Sequence, residues 1–244
     1  RLLAPDGTTL GGWTVDPDVC TCCQNTVTPV PGDRVFVAYR GHDAGEIRDN
    51  KYALFDLAAC TWSAPALLKD DGWKIPACPV NGPAADSRGD ALAVAWFTAA
   101  DGVARVRARY SADAGRTFGA PVAVDLGRPM GRIETVMLAD RSALLLWMEM
   151  KTDANAAGIY ARRLFADGTL SAPLLVADST QERASGFPRA ALRPNDRVVI
   201  SWTHASDSNQ VRTLEFDPAS LTRASTRLGA LTPRLHPGPP VDLE

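Results

Sequence analysis

The sequence lacks any apolar run long enough to cross a membrane as a helix. Its longest apolar pieces, such as residues 143–147 (ALLLW), have the length of strands, whereas a membrane-spanning helix needs about 20 apolar residues. We therefore expect no membrane span.

An excess of charge of one sign is also missing, as is any low-complexity tract. The 26 Lys and Arg residues nearly balance the 28 Asp and Glu residues, so the net charge is −2 and the pI is near 6.0. The basic residues are scattered, whereas nucleic acids and anionic membranes are bound by clustered basic patches. We expect neither nucleic acid nor an anionic membrane as a partner.

The chain is long enough to be globular. With 45% hydrophobic residues among 244, it can bury a sizeable core.

Helical periodicity is absent as well, and a fourfold repeat takes its place. Four short apolar runs end in an aromatic residue, at Tyr39, Trp96, Trp147 and Trp202, with spacings between 51 and 57 residues. Other strand-like pieces follow each run, which gives four strands in each unit of about 50 residues. The piece that precedes each run is predicted at residues 23–26, 78–81, 132–135 and 187–190. Such a period is typical of propeller blades. A β-sandwich with evenly spaced strands is the alternative.

We accordingly predict an all-β fold, a β-propeller with four blades in this chain. The repeats cover residues 20–76, 77–126, 127–180 and 181–236 as one domain, followed by a C-terminal tail at 237–244. Residues 1–19 resemble the outer-strand sequence near residues 166–176, so we predict that they form an outer strand of a preceding blade. The alternative is that they complete repeat four and close a four-bladed ring.

One motif fits the turn between the third and fourth strands of repeat two. Residues 111–118 (SADAGRTF) match the pattern Ser-x-Asp-x-Gly-x-Thr-Trp/Phe at every fixed position: Ser111, Asp113, Gly115, Thr117 and Phe118. Asp113 is suited to accept backbone N–H bonds, Gly115 to adopt a positive φ, and Phe118 to anchor the turn, so the motif is predicted to be structural.

Together with the repeat, this motif resembles the Asp-box, or bacterial neuraminidase repeat, of sialidase-type propellers. The resemblance implies six blades, of which this chain would be the C-terminal part. Missing N-terminal blades or a second chain would then complete the ring.

Blade geometry places many ionisable residues at one end of the molecule. In an up-and-down blade, the start of the first strand and the loop between the second and third strands lie at the same end. The residues predicted there are Cys20, Cys22, Cys23, His42, Asp43, Glu46, Arg48, Asp49, Cys78, Arg132, Glu134, Arg189, His204 and Asp207. The mouth of the central channel is therefore the candidate site.

Several strings within the repeats sharpen the resemblance. Residues 19–24 (VCTCCQ), 46–49 (EIRD), 78–83 (CPVNGP) and 185–189 (SGFPR) are similar to those of a family of bacterial exported sialidase-like proteins with a CxCC motif. This similarity implies an extracytoplasmic location, periplasmic or secreted. It carries over no established activity.

The leading functional prediction is that the channel mouth binds a glycan or protein ligand. The ligand-binding candidates are Arg40, His42, Glu46, Trp73, Asn81 and His204. Trp73 lies in a loop and is suited to stack on a sugar face, whereas Trp96, Trp147 and Trp202 recur at the repeat spacing and are expected in the core.

The first alternative, implied by the resemblance, is an exo-sialidase type glycoside hydrolase. Such enzymes clamp a carboxylate with three arginines and use a Tyr nucleophile assisted by a Glu. The catalytic candidates are Arg48, Asp49, Arg132, Glu134 and Arg189, with the arginines as the clamp and Glu134 assisting. Residues 183–228, where the family pattern places the nucleophile, contain no Tyr. Arginines that merely pair with neighbouring carboxylates are the structural alternative.

The second alternative is a metal site. Cys20, Cys22, Cys23 and Cys78 supply soft thiolate ligands that suit copper or zinc, with His42 or His204 to complete the site. A disulfide between Cys78 and one of the other three explains the same cluster. We expect the fifth cysteine, Cys60, to be a small buried filler or a partner of Cys20.

Overall fold

The computed structural model describes residues 1–205 and 210–224. The predicted end of repeat four at 236, the tail at 237–244 and Asp207 lie outside these residues. The regular secondary structure of the described residues is β-strand apart from three short 3-10 turns, at Ala100–Gly102, Arg183–Ser185 and Pro218–Ser220. It contains no helix of the length and hydrophobicity that a membrane crossing requires.

Four antiparallel sheets follow one another along the described chain. The first contains β3 (Thr26–Val30), β4 (Arg34–Arg40), β5 (Asn50–Asp56), β6 (Thr61–Trp62) and β7 (Ala66–Leu67). The second contains β8 (Ala84–Arg88), β9 (Ala91–Thr98), β10 (Arg105–Ser111) and β11 (Val122–Ala123). The third contains β12 (Pro129–Met137), β13 (Ala143–Met150), β14 (Ala156–Leu164) and β15 (Leu174–Thr180). The fourth contains β16 (Arg189–Leu192), β17 (Val198–His204) and β18 (Gln210–Phe216).

The apolar runs found in the sequence form the second strand of each sheet. All eight residues of β9 are buried, as are seven of the eight in β13. A strand covered on both faces needs apolar residues at every position rather than alternation, which explains the continuous runs. The repeat aromatics lie in this core as predicted, with Trp96 and Trp147 0% exposed and Trp202 9% exposed.

The first strands of successive sheets lie side by side around a shared space. β3 contacts β8, β8 contacts β12, and β12 contacts β16. Side chains rather than a backbone ladder connect these strands. The Thr26 hydroxyl donates to the Ala85 carbonyl at 3.1 Å, and the Thr28 and Ser87 hydroxyls are 2.7 Å apart. The four sheets therefore present their first strands to one cavity.

The N-terminal residues form a separate hairpin of β1 (Leu2–Leu3) and β2 (Thr9–Gly11). After the hairpin, the Trp13 ring packs on Phe55 of the first sheet with centroids 4.9 Å apart. The carboxylate of Asp16 accepts a hydrogen bond from the Tyr39 hydroxyl at 3.0 Å. Residues 1–19, for which we predicted an outer strand of a preceding blade, thus contain a short hairpin, and the residues after it cover the first sheet.

The turn at residues 111–118 is closed by its own polar side chains. The Asp113 carboxylate accepts hydrogen bonds from the Thr117 amide at 2.8 Å and the Thr117 hydroxyl at 2.6 Å. The Ser111 hydroxyl accepts from the Gly115 amide at 2.8 Å, and Gly115 has φ +80°. These bonds satisfy backbone donors that a tight turn leaves without partners.

The same turn connects two sheets. The Phe118 ring lies on Tyr52 and Phe36 of the first sheet, with centroid distances of 5.2 and 6.0 Å. A side chain on Gly115 would come within 3.0 Å of the Phe36 ring. The turn therefore fixes how the second sheet packs against the first.

We expect Asp113→Ala to lower the free energy of unfolding by about 1–2 kcal/mol, because the Thr117 amide and hydroxyl lose their acceptor. Urea unfolding followed by tryptophan fluorescence measures the change. Asp90→Ala is the matched control, because Asp90 is exposed and its side chain has no hydrogen bond among the described residues. Equal stability of the two variants would contradict this role.

Candidate functional site

The first strands line a cavity with a volume of about 760 Å³. Residues from β3, β8, β12 and β16 line it, and many of them are polar or charged: Gln24, Asn25, Thr26, Asp86, Ser87, Arg88, Glu134, Thr135, Arg189, Arg193 and Asp196. We call this space the central cavity. Its volume falls within the range of small-molecule sites.

An ion pair in the wall of the central cavity joins two predicted site residues. The Arg189 guanidinium lies 2.9 Å from the Glu134 carboxylate, with the Glu134 side chain 12% exposed and that of Arg189 69% exposed. Burial raises the pKa of Glu134 to about 7, and the nearby Asp86 carboxylate adds to the rise, while Arg189 opposes it. Glu134 therefore titrates near neutral pH.

Asp86 is a second, half-buried carboxyl of the cavity that the sequence did not single out. Burial raises its pKa, although its carboxylate accepts hydrogen bonds from the Met137 amide at 2.7 Å and the Ser87 amide at 2.8 Å. We had placed the first strand of repeat two at residues 78–81, whereas β8 begins at Ala84. A correct strand start would have placed Asp86 beside Glu134.

A β-bulge separates Glu134 from Arg132. The β12–β13 register shifts on both sides of Gly131, and both Gly131 and Arg132 have positive φ, +79° and +54°. The Asn81 side chain holds this conformation: its oxygen accepts from the Arg132 amide at 2.8 Å and its nitrogen donates to the Met130 carbonyl at 3.0 Å. The predicted ligand residue Asn81 is thus used in shaping β12.

Because of the bulge, Arg132 lines a different pocket from Glu134. This second pocket has a volume of about 360 Å³ and also contains Asn81 and Arg183. The Arg132 guanidinium donates to the Glu182 carbonyl at 3.0 Å and lies 3.7 Å from the Met148 sulfur. Arg183 is exposed.

The three arginines predicted to form a clamp therefore lie in different surroundings. Arg189 lines the central cavity and Arg132 the second pocket, whereas Arg48 donates to the Glu46 carboxylate at 2.8 Å and to the Ile75 carbonyl at 3.0 Å. The structure does not bring them together around one carboxylate.

Three other candidates are buried supports rather than ligand-facing groups. Arg40 is 1% exposed, and its guanidinium donates to backbone carbonyls and lies 4.8 Å from the Trp73 ring centroid. Trp73 is itself 6% exposed and packs on Phe97, so its ring face is covered by protein instead of offered to a sugar. The Asp49 carboxylate, 2% exposed, accepts three hydrogen bonds from the amides of residues 71–73.

The predicted histidines lie on separate elements. His42 is hydrogen bonded to Asp18 at 2.7 Å and to Glu46 at 3.3 Å, and the Asp18 bond raises the pKa of His42. His204 is the last residue of β17 and pairs with Gln210 in the ladder. Neither histidine belongs to the group of metal-ligating side chains found among the described residues.

Four of the five cysteines form a cluster. Cys22 and Cys78 form a disulfide, as one of our alternatives predicted, while Cys20 and Cys23 are free and buried. The Cys20 sulfur lies 3.3 Å from that of Cys23 and 3.5 Å from that of Cys22. Burial raises the pKa of Cys23 to about 11; for Cys20 burial is outweighed by hydrogen bonds from Cys23, the Cys22 amide and Arg48, which lower its pKa.

Cys60 is not part of this cluster. It is a free, partly exposed thiol whose sulfur contacts the Leu57 carbonyl at 3.4 Å in the turn before β6. Neither the predicted full burial nor the pairing with Cys20 is found.

Solved structures with the same fold are known. A protein of unknown function from Dyadobacter fermentans matches with a TM-score of 0.55 and 14% identity, over 82% of this chain and 66% of that chain. The Hadza microbial sialidase matches with a TM-score of 0.51 and 12% identity, over 78% of this chain and 43% of that chain. A GH43_12 protein from the capybara gut metagenome matches with a TM-score of 0.52 and 8% identity, over 82% of this chain and 40% of that chain.

The fold is thus that of the sialidase and GH43 β-propellers. The chain spans less than half of the sialidase and of the GH43_12 protein. Identities this low establish a shared fold and no shared chemistry. No family model and no curated protein matches the sequence.

The raised pKa of Glu134 makes stability depend on pH. Between its usual pKa of about 4.3 and its folded value of about 7, the folded protein binds more protons than the unfolded chain. The contribution of this carboxyl to the free energy of unfolding therefore falls as the pH rises from 5 to 8. We expect Glu134→Gln to make this fall smaller by about 1–3 kcal/mol.

Urea unfolding of both proteins at pH 5 and pH 8 tests this expectation. Glu182→Gln serves as the control, because Glu182 is exposed and outside the cavity. An unchanged pH dependence in Glu134→Gln would show that this carboxyl titrates normally.

Proposed function

We propose that this protein is an exported sialidase-like propeller that binds a glycan in the central cavity. The observation that carries the proposal is the Glu134–Arg189 pair, set among hydroxyl and amide side chains in a cavity of about 760 Å³. Sugars are recognised by such arrays of donors and acceptors, and the arginine fork adds bidentate bonding to a sugar carboxylate or diol. The likeness to a sialidase and a GH43_12 protein supports this class of ligand.

The propeller proposal extends to the blades and the location. Each of the four sheets would be one blade, in a C-terminal part of a six-bladed ring, and the hydrogen-bonded turn at residues 111–118 supports its interpretation as an Asp-box. The Cys22–Cys78 disulfide supports an extracytoplasmic location, because such bonds persist in oxidising compartments.

A second candidate function is glycoside hydrolysis at the same cavity. A carboxyl with a pKa of about 7 remains partly protonated at neutral pH, which suits Glu134 to act as a general acid. Asp86 supplies the second carboxylate that most glycosidases use. The cavity lining among the described residues includes no tyrosine, so this chemistry would differ from the tyrosine-dependent sialidase reaction.

Binding is tested by isothermal titration with 3′-sialyllactose and with xylotriose. We expect at least one of these probes to bind, and Arg189→Ala to weaken that binding about tenfold or more, because an ionic hydrogen bond is lost. Arg116→Ala is the matched control, because Arg116 is exposed and lies in the turn away from the cavity. Failure of both probes, or equal affinities of the two variants, would contradict the proposal.

Hydrolysis is tested with the 4-methylumbelliferyl derivatives of the same sugars. If the cavity is catalytic, Glu134→Gln lowers kcat about 10²- to 10⁴-fold while the probe still binds, because a general acid acts in the transition state. Absence of turnover by the unmodified protein, with binding retained, leaves binding as the function.

A further inference from the structure

The cysteine cluster brings four sulfur atoms together from two segments. Cys20, Cys22 and Cys23 precede β3, and Cys78 precedes β8. One ligand atom each from Cys20, Cys22 and Cys78 lies within 4.8 Å of the others, and the Cys23 sulfur is 3.3 Å from that of Cys20. In a tetrahedral site with metal–sulfur bonds of about 2.3 Å, the sulfur atoms are about 3.8 Å apart. The Cys20–Cys23 and Cys20–Cys22 sulfur distances, 3.3 and 3.5 Å, lie a few tenths of an ångström below this value.

Contacts other than the disulfide hold the two segments together. The Cys20 amide donates to the Arg40 carbonyl at 3.0 Å. The Gln24 side chain exchanges two hydrogen bonds with the backbone of Gly82, at 3.3 and 3.0 Å. Gly82 approaches Gln24 so closely that no side chain would fit there. The sulfur atoms therefore stay close when the disulfide is reduced.

Two arginines supply positive charge beside the sulfur atoms. The Arg48 guanidinium lies 3.5 Å from the Cys20 sulfur. The buried Arg40 interacts favourably with the thiolates of Cys20 and Cys23. Four thiolates around one Zn(II), or three around one Cu(I), leave a net charge of two minus, which two guanidinium groups balance. Such charge compensation is what a buried thiolate cluster requires.

We propose that the reduced cluster binds one thiolate-preferring d¹⁰ cation, Cu(I) or Zn(II), through Cys20, Cys22, Cys23 and Cys78. Both ions favour thiolate ligands. Reduction of the Cys22–Cys78 disulfide by an external dithiol transfers two electrons and yields two thiols, while the dithiol becomes a disulfide. Binding then displaces one proton from each thiol that becomes a ligand. Since Cys22 and Cys78 are ligands only when reduced, the disulfide and the metal exclude each other.

The full chain, reduced with dithiothreitol and desalted without oxygen, is titrated with Cu(I) against bathocuproine disulfonate and with Zn(II) against a chromophoric chelator. We expect one equivalent of at least one ion to bind, and the oxidised protein to bind it at least 100-fold more weakly. We expect the Cys23→Ser and Cys78→Ser variants to lose affinity for the metal by a similar factor. The Cys60→Ser variant is expected to keep the affinity of the unsubstituted protein. The two titrations distinguish copper from zinc.

X-ray absorption on the unsubstituted, metal-loaded protein keeps the test independent of how the variants fold. Only sulfur neighbours, three or four at about 2.3 Å, support the site. Nitrogen or oxygen ligands, no stoichiometric binding of either ion, equal binding by Cys23→Ser and Cys60→Ser, or equal affinity in the oxidised protein would each overturn it. None of these measurements involves the central cavity, so the glycan proposal stands or falls separately.

Discussion

The buried guanidinium of Arg40 constrains how the first two sheets meet. It lies at the end of β4 and donates to the carbonyls of Asn81, Phe97 and Arg48. An unpaired buried charge is very costly, so these carbonyls have to converge on the guanidinium. The segment that precedes β8 is thereby held against the first sheet. Both the cysteine cluster and the cavity depend on this placement.

The effect of Arg40 passes through Asn81 to the third sheet. Once its carbonyl is fixed by Arg40, the Asn81 side chain bonds to the backbone on both sides of Gly131. The bulge that results turns Arg132 into the second pocket and leaves Glu134 in the central cavity. The paired carboxyl of Glu134 and the separated arginines thus share one cause. Neither is a property of the β12 sequence alone.

Because the site depends on contacts between sheets, only part of it could be predicted from the sequence. The repeat aromatics and apolar runs fix the second strands, because burial on both faces leaves an unbroken hydrophobic signal, and the cores around Trp96 and Trp147 follow from it. The first strands carry mixed polar residues and give no such signal, so the start of β8 was misplaced and Asp86 was missed. The roles of Arg40 and Trp73 depend on contacts with the second repeat, and the role of Asp49 depends on the loop at residues 71–73. A polar residue near a predicted channel mouth looks the same in sequence whether it faces the channel or supports it.

The cysteine pattern is a second case in which the sequence alone does not decide the role of a residue. The spacing of Cys20, Cys22 and Cys23 left both a metal site and a disulfide open, since either needs only that Cys78 lie nearby. The structure supplies Cys78 and the disulfide, yet it also leaves two free thiols within 3.5 Å of Cys22 or of each other.

The residues that this fold requires are different from the residues that line the cavity, so the cavity side chains are free to vary. Identities of 8 to 14% to proteins of the same fold are enough when the shared demands are apolar second strands and tight turns such as that at Gly115. The cavity-facing side chains of the first strands are not bound by these demands, because each first strand is paired through its backbone to the second strand. Whether the fold tolerates a carboxyl such as Glu134 or Asp86 on a first strand therefore depends on the neighbours of that carboxyl. For Glu134 these neighbours are Asp86, which raises its pKa further, and Arg189, which lowers it.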